Sequence, residues 1–284
     1  MQLNWPSEHI WEQITPLWPD FSVEILSTVD STNTQLLQRI HNGQTAPTLL
    51  VAETQTAGKG RAGKKWAAHI GDSLTFSLAL PMPAHIDAKL SLAVGCALAQ
   101  ALDPSGHALK IKWPNDIWFN LNNNPTHQTT QNPPDTQKPA WRKLVGILIE
   151  TASYARQRYA VIGIGININL PPQNILAPTY TANSIPAGSL AQLDKRWDAP
   201  QALACVAPQI LQAVYNFMHQ GEDSWQKNFT SIYAQRDLLA GTPLITSDGT
   251  HGTGIGIDPQ GHLLIQTADG IQVIHSGEVS VRPC

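Results

Sequence analysis

Cysteine, charge and long apolar runs are all scarce in this chain. Only three cysteines occur among 284 residues, Cys96, Cys205 and Cys284, and no two of them form a CxxC pair. That excludes a disulfide scaffold and a zinc ribbon, and it suits a reducing compartment. Charged residues make up 14%, against about 25% in an average soluble domain. Lys and Arg number 18 and Asp and Glu 21, for a net charge of −3. A general nucleic-acid binder needs a broad basic field, and this balance lacks one. No apolar run approaches the ~18 residues of a membrane span. The N-terminus, MQLNWPSEHIWEQ, lacks the basic start and apolar stretch of a signal peptide. A cytoplasmic protein with no DNA and no membrane partner is the expectation.

What is present suffices for a sizeable core. Hydrophobic residues make up 42%, and at ~150 residues per domain the length allows one to three domains. The first twenty residues carry Trp5, Trp11 and Trp18 among prolines and read as a short lead-in helix, too brief for a winged-helix or helix-turn-helix unit. Strand-like runs follow at 21–27, 48–53, 73–80 and 109–113, with 117–119 expected to continue the last after the Pro114-Asn115-Asp116 break. Helix is predicted after Asp30-Ser31-Thr32-Asn33, over 87–102 and over most of 199–236. Residues 120–141 are rich in Asn, Gln, Thr and Pro and offer little to bury, so a disordered insertion is expected there. Strands resume at 143–150 and 159–169, and 170–198 reads as irregular. After about 236 five short strand-like pieces alternate with turn signals, which predicts a small β-barrel of ~45 residues. The division is a domain over 1–236 and a second over 237–284.

Residues 58–66 read GKGRAGKKW, four positive charges within seven residues and no acid. Glycines there can turn backbone N–H groups toward an anion. A dinucleotide fingerprint and a P-loop both match in part, and both fail because no long helix follows. A loop of this kind can close over a phosphate and neutralise charge as it develops. A solvated surface turn is the plainer alternative for any one of its lysines. Elsewhere, Lys112-Trp-Pro-Asn-Asp116 ends a strand, Lys143 opens an apolar one that closes on Glu150, and Asn167 punctuates VIGIGININ. An Asn inside such a strand must be hydrogen-bonded, to backbone or to a ligand. Ser31, Thr32 and Asn33 read as helix caps, or as groups that hold a ligand carbonyl at a helix N-terminus.

Taken in order, Ser31-Thr-Asn33, Glu53 through Trp66, Lys112 through Asp116, Lys143-Leu-Val-Gly146-Ile-Leu-Ile-Glu150 and Gly163-Ile-Gly165-Ile-Asn167 resemble the biotin–protein ligases. The resemblance spans about residues 22–283. It implies an α+β fold of the class II synthetase-like type, with a central mixed sheet, flanking helices gathered on one side, and an SH3-like C-terminal barrel. It implies ATP and biotin as substrates, Mg²⁺ as cofactor, and a biotin carboxyl carrier protein as partner. The implied chemistry has two steps: formation of biotinyl-5′-AMP, then transfer to a carrier lysine. The residues implied for catalysis are Arg61, Lys143 and Asp116. For biotin they are Ser31, Thr32, Asn33, Gln55, Lys59, Gly60, Arg61, Lys143 and Gly146. For ATP and the adenylate they are Gly58, Lys59, Gly60, Arg61, Trp66, Lys143 and Asn167, with metal ligands left open.

Two departures stand out. Lys59 occupies a position where the family often has arginine, and a lysine offers a point charge in place of a planar fork. Ala62 stands where some members carry another arginine. About thirty residues precede the Ser-Thr-Asn segment, so the expectation is a monofunctional ligase, monomeric or weakly dimeric. A lipoate–protein ligase and a non-catalytic ligand sensor are the rival readings.

Overall fold

The computed structural model describes residues 3–83, 89–123, 140–170, 185–275 and 281–283. Twelve strands are present among them: β1 (Ser22–Val29), β2 (Thr48–Gln55), β3 (Ser73–Met82), β4 (Leu109–Lys112), β5 (Asp116–Asn120), β6 (Trp141–Tyr154), β7 (Gln157–Asn167), β8 (Pro243–Thr246), β9 (His251–Ile257), β10 (Leu263–Thr267), β11 (Gly270–Ile274) and β12 (Val281–Pro283). The α-helices are α1 (Ser7–Ile14), α2 (Thr32–His41), α3 (Lys89–Leu102), α4 (Leu190–Leu193), α5 (Ala199–Ser224) and α6 (Thr230–Arg236).

The first seven strands form one sheet in the order β1-β2-β3-β7-β6-β5-β4. Only β1 and β2 run parallel, so the sheet is mixed as expected. Its two faces differ because side chains alternate along a strand. Leu74, Phe76, Leu78 and Leu80 of β3 and Ile162, Ile164 and Ile166 of β7 bury on one face, in a cluster shared with α1, α3 and α5. α3 is apolar nearly all round because it lies between this face and α5. On the opposite face Leu36 and Ile40 of α2 pack on Leu50, Ala79, Tyr159 and Val161. Helices therefore cover both faces, which corrects the one-sided arrangement that the resemblance implied. α2 covers only part of its face, and the site lies in what remains.

Four local expectations change. Residues 117–119 do not continue β4; the chain reverses at Trp113–Asn115, and β5 pairs antiparallel with β4, Lys112 opposite Asp116. Proline cannot donate to a ladder, so the turn falls where it stands. The 199–236 helix is broken by a π turn at Trp225–Phe229, whose two buried rings stack at 5.9 Å. Within 170–198, Ser189 begins the short helix α4 with a capping box that Gln192 completes. Of the predicted insertion, Asn120 and Trp141 are paired strand residues, and Leu121 N–H donates to the Ala140 carbonyl at 3.1 Å. Residues 124–139 lie outside the described residues.

The β5–β6 ladder slips by one residue between Ile117 and Trp118. This bulge lets Leu144 and Val145, consecutive in sequence, both bury in the core cluster. Lys143 and Gly146 on either side then share the site face.

Strands β8–β12 form a second sheet, antiparallel throughout, in the order β11-β10-β9-β8-β12. Among the described residues no ladder joins β11 to β12, so the predicted barrel is seen as an open sheet. Leu244, Leu263, Ile265 and Ile274 join the same core cluster as the first sheet. Trp113 Nε1 donates to the Gly261 carbonyl at 3.0 Å, which ties the β9–β10 turn to the β4–β5 hairpin. No helix among the described residues is long and apolar enough to cross a membrane.

Candidate active site

The uncovered part of the second face has a floor of very small residues. Gly146 lies on β6 and Gly163 and Gly165 on β7. A Cβ on Gly163 would lie 2.2 Å from Asn33 Oδ1, and one on Gly165 would lie 2.2 Å from the Trp66 ring. These glycines are required because side chains from α2 and the 58–66 loop are laid directly on the strand backbone. Trp66 also covers Gly146, where a Cβ would be 2.9 Å from its ring. Lys143 Nζ sits 5.7 Å from the Trp66 ring centroid, a cation–π contact.

At one end of the floor, α2 brings Ser31, Thr32 and Asn33, all buried, against β2 and β3. Ser31 holds the N-cap position but its side chain makes no capping hydrogen bond, so the plain helix-cap reading fails for it. Thr32 N–H donates to Gln55 Oε1 at 2.7 Å. The Thr32 hydroxyl lies 2.6 Å from Ser77 Oγ, and Ser77 Oγ donates to Asn33 Oδ1 at 2.6 Å. Asn33 Nδ2 donates to Glu150 Oε2 at 2.8 Å. Ser77 and Glu150 thus join a site for which sequence reasoning named neither. Their signal was weak: a serine in an apolar strand, and an acid at a strand end.

At the other end, cations converge. Lys143 Nζ forms an ion pair with Asp116 Oδ1 at 2.7 Å. Arg61 donates to Asn115 Oδ1 at 3.3 Å, and Asn115 Nδ2 donates to the Ile147 carbonyl at 2.7 Å. Asn115 thereby latches the glycine loop to the hairpin and to β6. Lys112 is buried beneath. Burial pulls its pKa down to about 8, the Asp116 charge opposes that, and Lys143, Arg61 and Lys64 reinforce it. Burial likewise lowers Arg61, against Asp116. Burial is the main cause of both shifts, and at Lys112 neighbouring cations gathered about one carboxylate add to it; an excess of positive charge there suits a polyanion.

The loop itself is a tight hairpin. Gly60 N–H donates to the Lys64 carbonyl at 2.7 Å and Trp66 N–H to the Gly58 carbonyl at 2.9 Å. Those two amides serve the loop, so the anion nest expected of its backbone is reduced; of the loop cations, Lys59 and Arg61 line both cavities of the cleft, and Lys64 and Lys65 line the larger one. Lys59, Lys64 and Lys65 are exposed. Ala62 has φ 54° and Gly63 φ 71°, a left-handed pair at the tip. Asn167 Nδ2 donates to the Gly188 carbonyl at 2.9 Å and to the Lys143 carbonyl at 3.4 Å, the backbone option of the two open to it.

Two cavities with Lys59–Arg61, Asn115, Ile147 and Leu148 in common result. The larger, about 810 Å³, lies between the 57–65 loop and Ile147–Thr151. The smaller, about 50 Å³, is bounded by Ser31–Asn33, Gln55, Trp66, Lys143 and the glycine floor. No group of three His, Cys, Asp or Glu that could hold a metal occurs among the described residues. Asp116 is paired and ringed by cations, so these residues do not fit a protein-built Mg²⁺ site.

Residues 25–167 match the biotin/lipoate A/B protein ligase family, and residues 244–282 match the biotin protein ligase C-terminal domain. The bifunctional ligase/repressor BirA of Bacillus subtilis is 30% identical over 271 residues, covering 91% of this chain and 72% of its own length. The biotin–[acetyl-CoA-carboxylase] ligase of Paracoccus denitrificans is 27% identical over 265 residues, covering 90% and 98%. Among solved structures, the biotin protein ligase of Aquifex aeolicus in complex with biotin and ATP superposes with a TM-score of 0.67 at 26% identity, covering 92% of this chain and 99% of that one. With half of its length matched to the catalytic family and the C-terminal domain matched after it, this chain belongs to the biotin protein ligases of the biotin/lipoate A/B protein ligase family.

Proposed function

We propose that the chain activates biotin with ATP and transfers it to a lysine of a biotin carboxyl carrier protein of acetyl-CoA carboxylase. In the first step a biotin carboxylate oxygen attacks the α-phosphorus of ATP. The new P–O bond gives biotinyl-5′-AMP and pyrophosphate leaves. In the second step a neutral lysine amine attacks the acyl carbon, the amide forms, and AMP departs. The observation that carries this reading is the convergence of Arg61, Lys112 and Lys143 beside Asp116 at the mouth of a small pocket floored by glycines. Two anions, a carboxylate and a triphosphate, repel one another, and fixed cations where they meet offset that repulsion.

In this reading Ser31, Thr32, Asn33 and Gln55 hold the ring system of biotin, over Gly146 and against Trp66. Arg61 and Lys143 hold the reacting carboxylate and phosphate, Asp116 orients the incoming amine, and Asn167, with its Nδ2 committed to the Gly188 and Lys143 carbonyls, has only its Oδ1 to offer the adenine. Lys59 and Gly60 complete the loop over the adenylate, sheltering it from water. A magnesium ion would come with the triphosphate, since Mg²⁺ is held chiefly by substrate phosphates where proteins supply few carboxylates. Residues 237–284 are read as a separate SH3-like unit, supported by their five antiparallel strands.

Incubation with biotin, MgATP and a carrier domain, read by streptavidin blot, tests the whole reading. Pyrophosphate exchange tests its first half. ATP-dependent labelling of one carrier lysine is expected. Exchange with lipoate and none with biotin would transfer the assignment to the lipoate ligases.

A further inference from the structure

The hydrogen bonds behind α2 have only one consistent direction. Asn33 Nδ2 faces the Leu148 carbonyl at 3.3 Å as well as Glu150. A carbonyl only accepts, so the Asn33 amide is fixed with Oδ1 toward Ser77. Ser77 has a single hydroxyl proton, and Oδ1 at 2.6 Å takes it. The 2.6 Å contact between Thr32 and Ser77 must then be made with the Thr32 proton. Gln55 Oε1 does not compete strongly for that proton. It already accepts from Thr32 N–H at 2.7 Å, and its contact with the Thr32 hydroxyl is longer, 3.2 Å. A directed chain results: Thr32 to Ser77 to Asn33 to Glu150. Ser77 is fully buried and does not line the pocket, whereas Thr32 does.

We propose that Ser77 is a specificity-determining positioning residue: by taking the Thr32 proton it leaves Thr32 Oγ1 facing the pocket as an acceptor only, so the ligand must present an N–H there, as a cyclic urea does. A ligand offering a second acceptor at that point meets two opposed lone pairs, and a site built around one hydrogen bond rejects the analogue that lacks it. This inference rests on the reading of the pocket as a biotin site.

The test uses the full chain, without ATP, and calorimetric Kd values for three ligands. These are biotin and the two cyclic carbamates in which one or the other ureido N–H is replaced by ring oxygen. In the native chain at least one carbamate is expected to bind about a hundredfold more weakly than biotin. In Ser77→Ala the Thr32 hydroxyl is free to turn and donate, and the same gap is expected to close by about tenfold or more, with a smaller change for biotin itself. Ser77→Cys, close in size and a weak donor, is expected to move the ratio the same way by less, and it serves if the alanine variant does not fold. A gap unchanged in the folded variants overturns the role of Ser77 while leaving the ligase reading intact, as does equal binding of all three ligands by the native chain. Failure of the native chain to bind biotin overturns both.

Discussion

The two faces of the seven-stranded sheet are built from the same strands and could hardly differ more. On β3, Leu74, Phe76, Leu78 and Leu80 point one way, while Thr75 and Ser77 point the other. On β7, Ile162, Ile164 and Ile166 alternate with Gly163 and Gly165. One face is closed by three helices, and its burial supplies most of the free energy of folding. The other gives up side chains so that α2 and Trp66 can approach the backbone and leave room for a ligand. Even the buried ions follow this division. In the closed half Asp103 is held by many donors: Ser105 at 2.6 Å, the amides of Ala108 and Leu109, and Arg236. In the open half Lys112 shares a single carboxylate with its rivals. Stability is concentrated on one side of the sheet, and unbalanced charge on the other.

That contrast breaks most sharply at Leu78. Leu78→Ala, on the closed face, is expected to destabilise by about 2–5 kcal/mol, read by denaturant unfolding, with unchanged activity per folded molecule. Lys143→Met, on the open face, reverses the pattern. Pyrophosphate exchange is expected to fall by about 10²–10³-fold, with thermal stability unaffected or slightly raised.

Two pH experiments sharpen the comparison of buried ions. The native pKa of Lys112 is lowered to about 8 from 10.5. The unfolded chain therefore binds the proton more tightly, and stability is expected to rise as pH increases between those values. Lys112→Met should abolish that rise and lift Tm at pH 7 by about 4 °C; a lower Tm would show that the lysine stabilises the fold. Asp103 behaves oppositely. Burial pushes it up, but Ser105, Leu109, Ala108 and Arg236 together draw it down from 3.8 to about 2. Its contribution is complete above the unfolded value and is expected to be lost as pH falls from about 4 toward 2. In Asp103→Asn that acid-sensitive increment should be missing, which is the smallest of the four effects.

Much of this was legible in the chain. Alternation located β1 and β4, apolar runs located β2, β3, β6 and β7, and turn signals located most of the C-terminal strands. Parts of the four motif segments and Ser31–Asn33 line the two cavities, whereas the ion pair of Lys143 with Asp116 had no signal in the sequence. The sequence could not show which residues pair across strands. Ser77 reads as one polar residue in an apolar strand until α2 is seen above it. Lys112 reads as one residue of a segment that ends a strand, and nothing local says that the hairpin buries it under the site. Asn115 carries turn chemistry, and only the loop's position makes it a latch. The second helical face was missed for the same reason: α2 has a short apolar stripe, and nothing local says which side of the sheet it will cover.

The slipped register at Ile117 and Val145 has a practical consequence for anyone exchanging segments between members of this family. Counting outward from Glu150, a regular strand would aim residue 143 at the helices and residue 144 at the ligand. A graft joined inside 143–146 that restores regular pairing would bury an ammonium group and expose a leucine. A junction placed before Trp141, where the described pairing of β6 begins, leaves that geometry untouched.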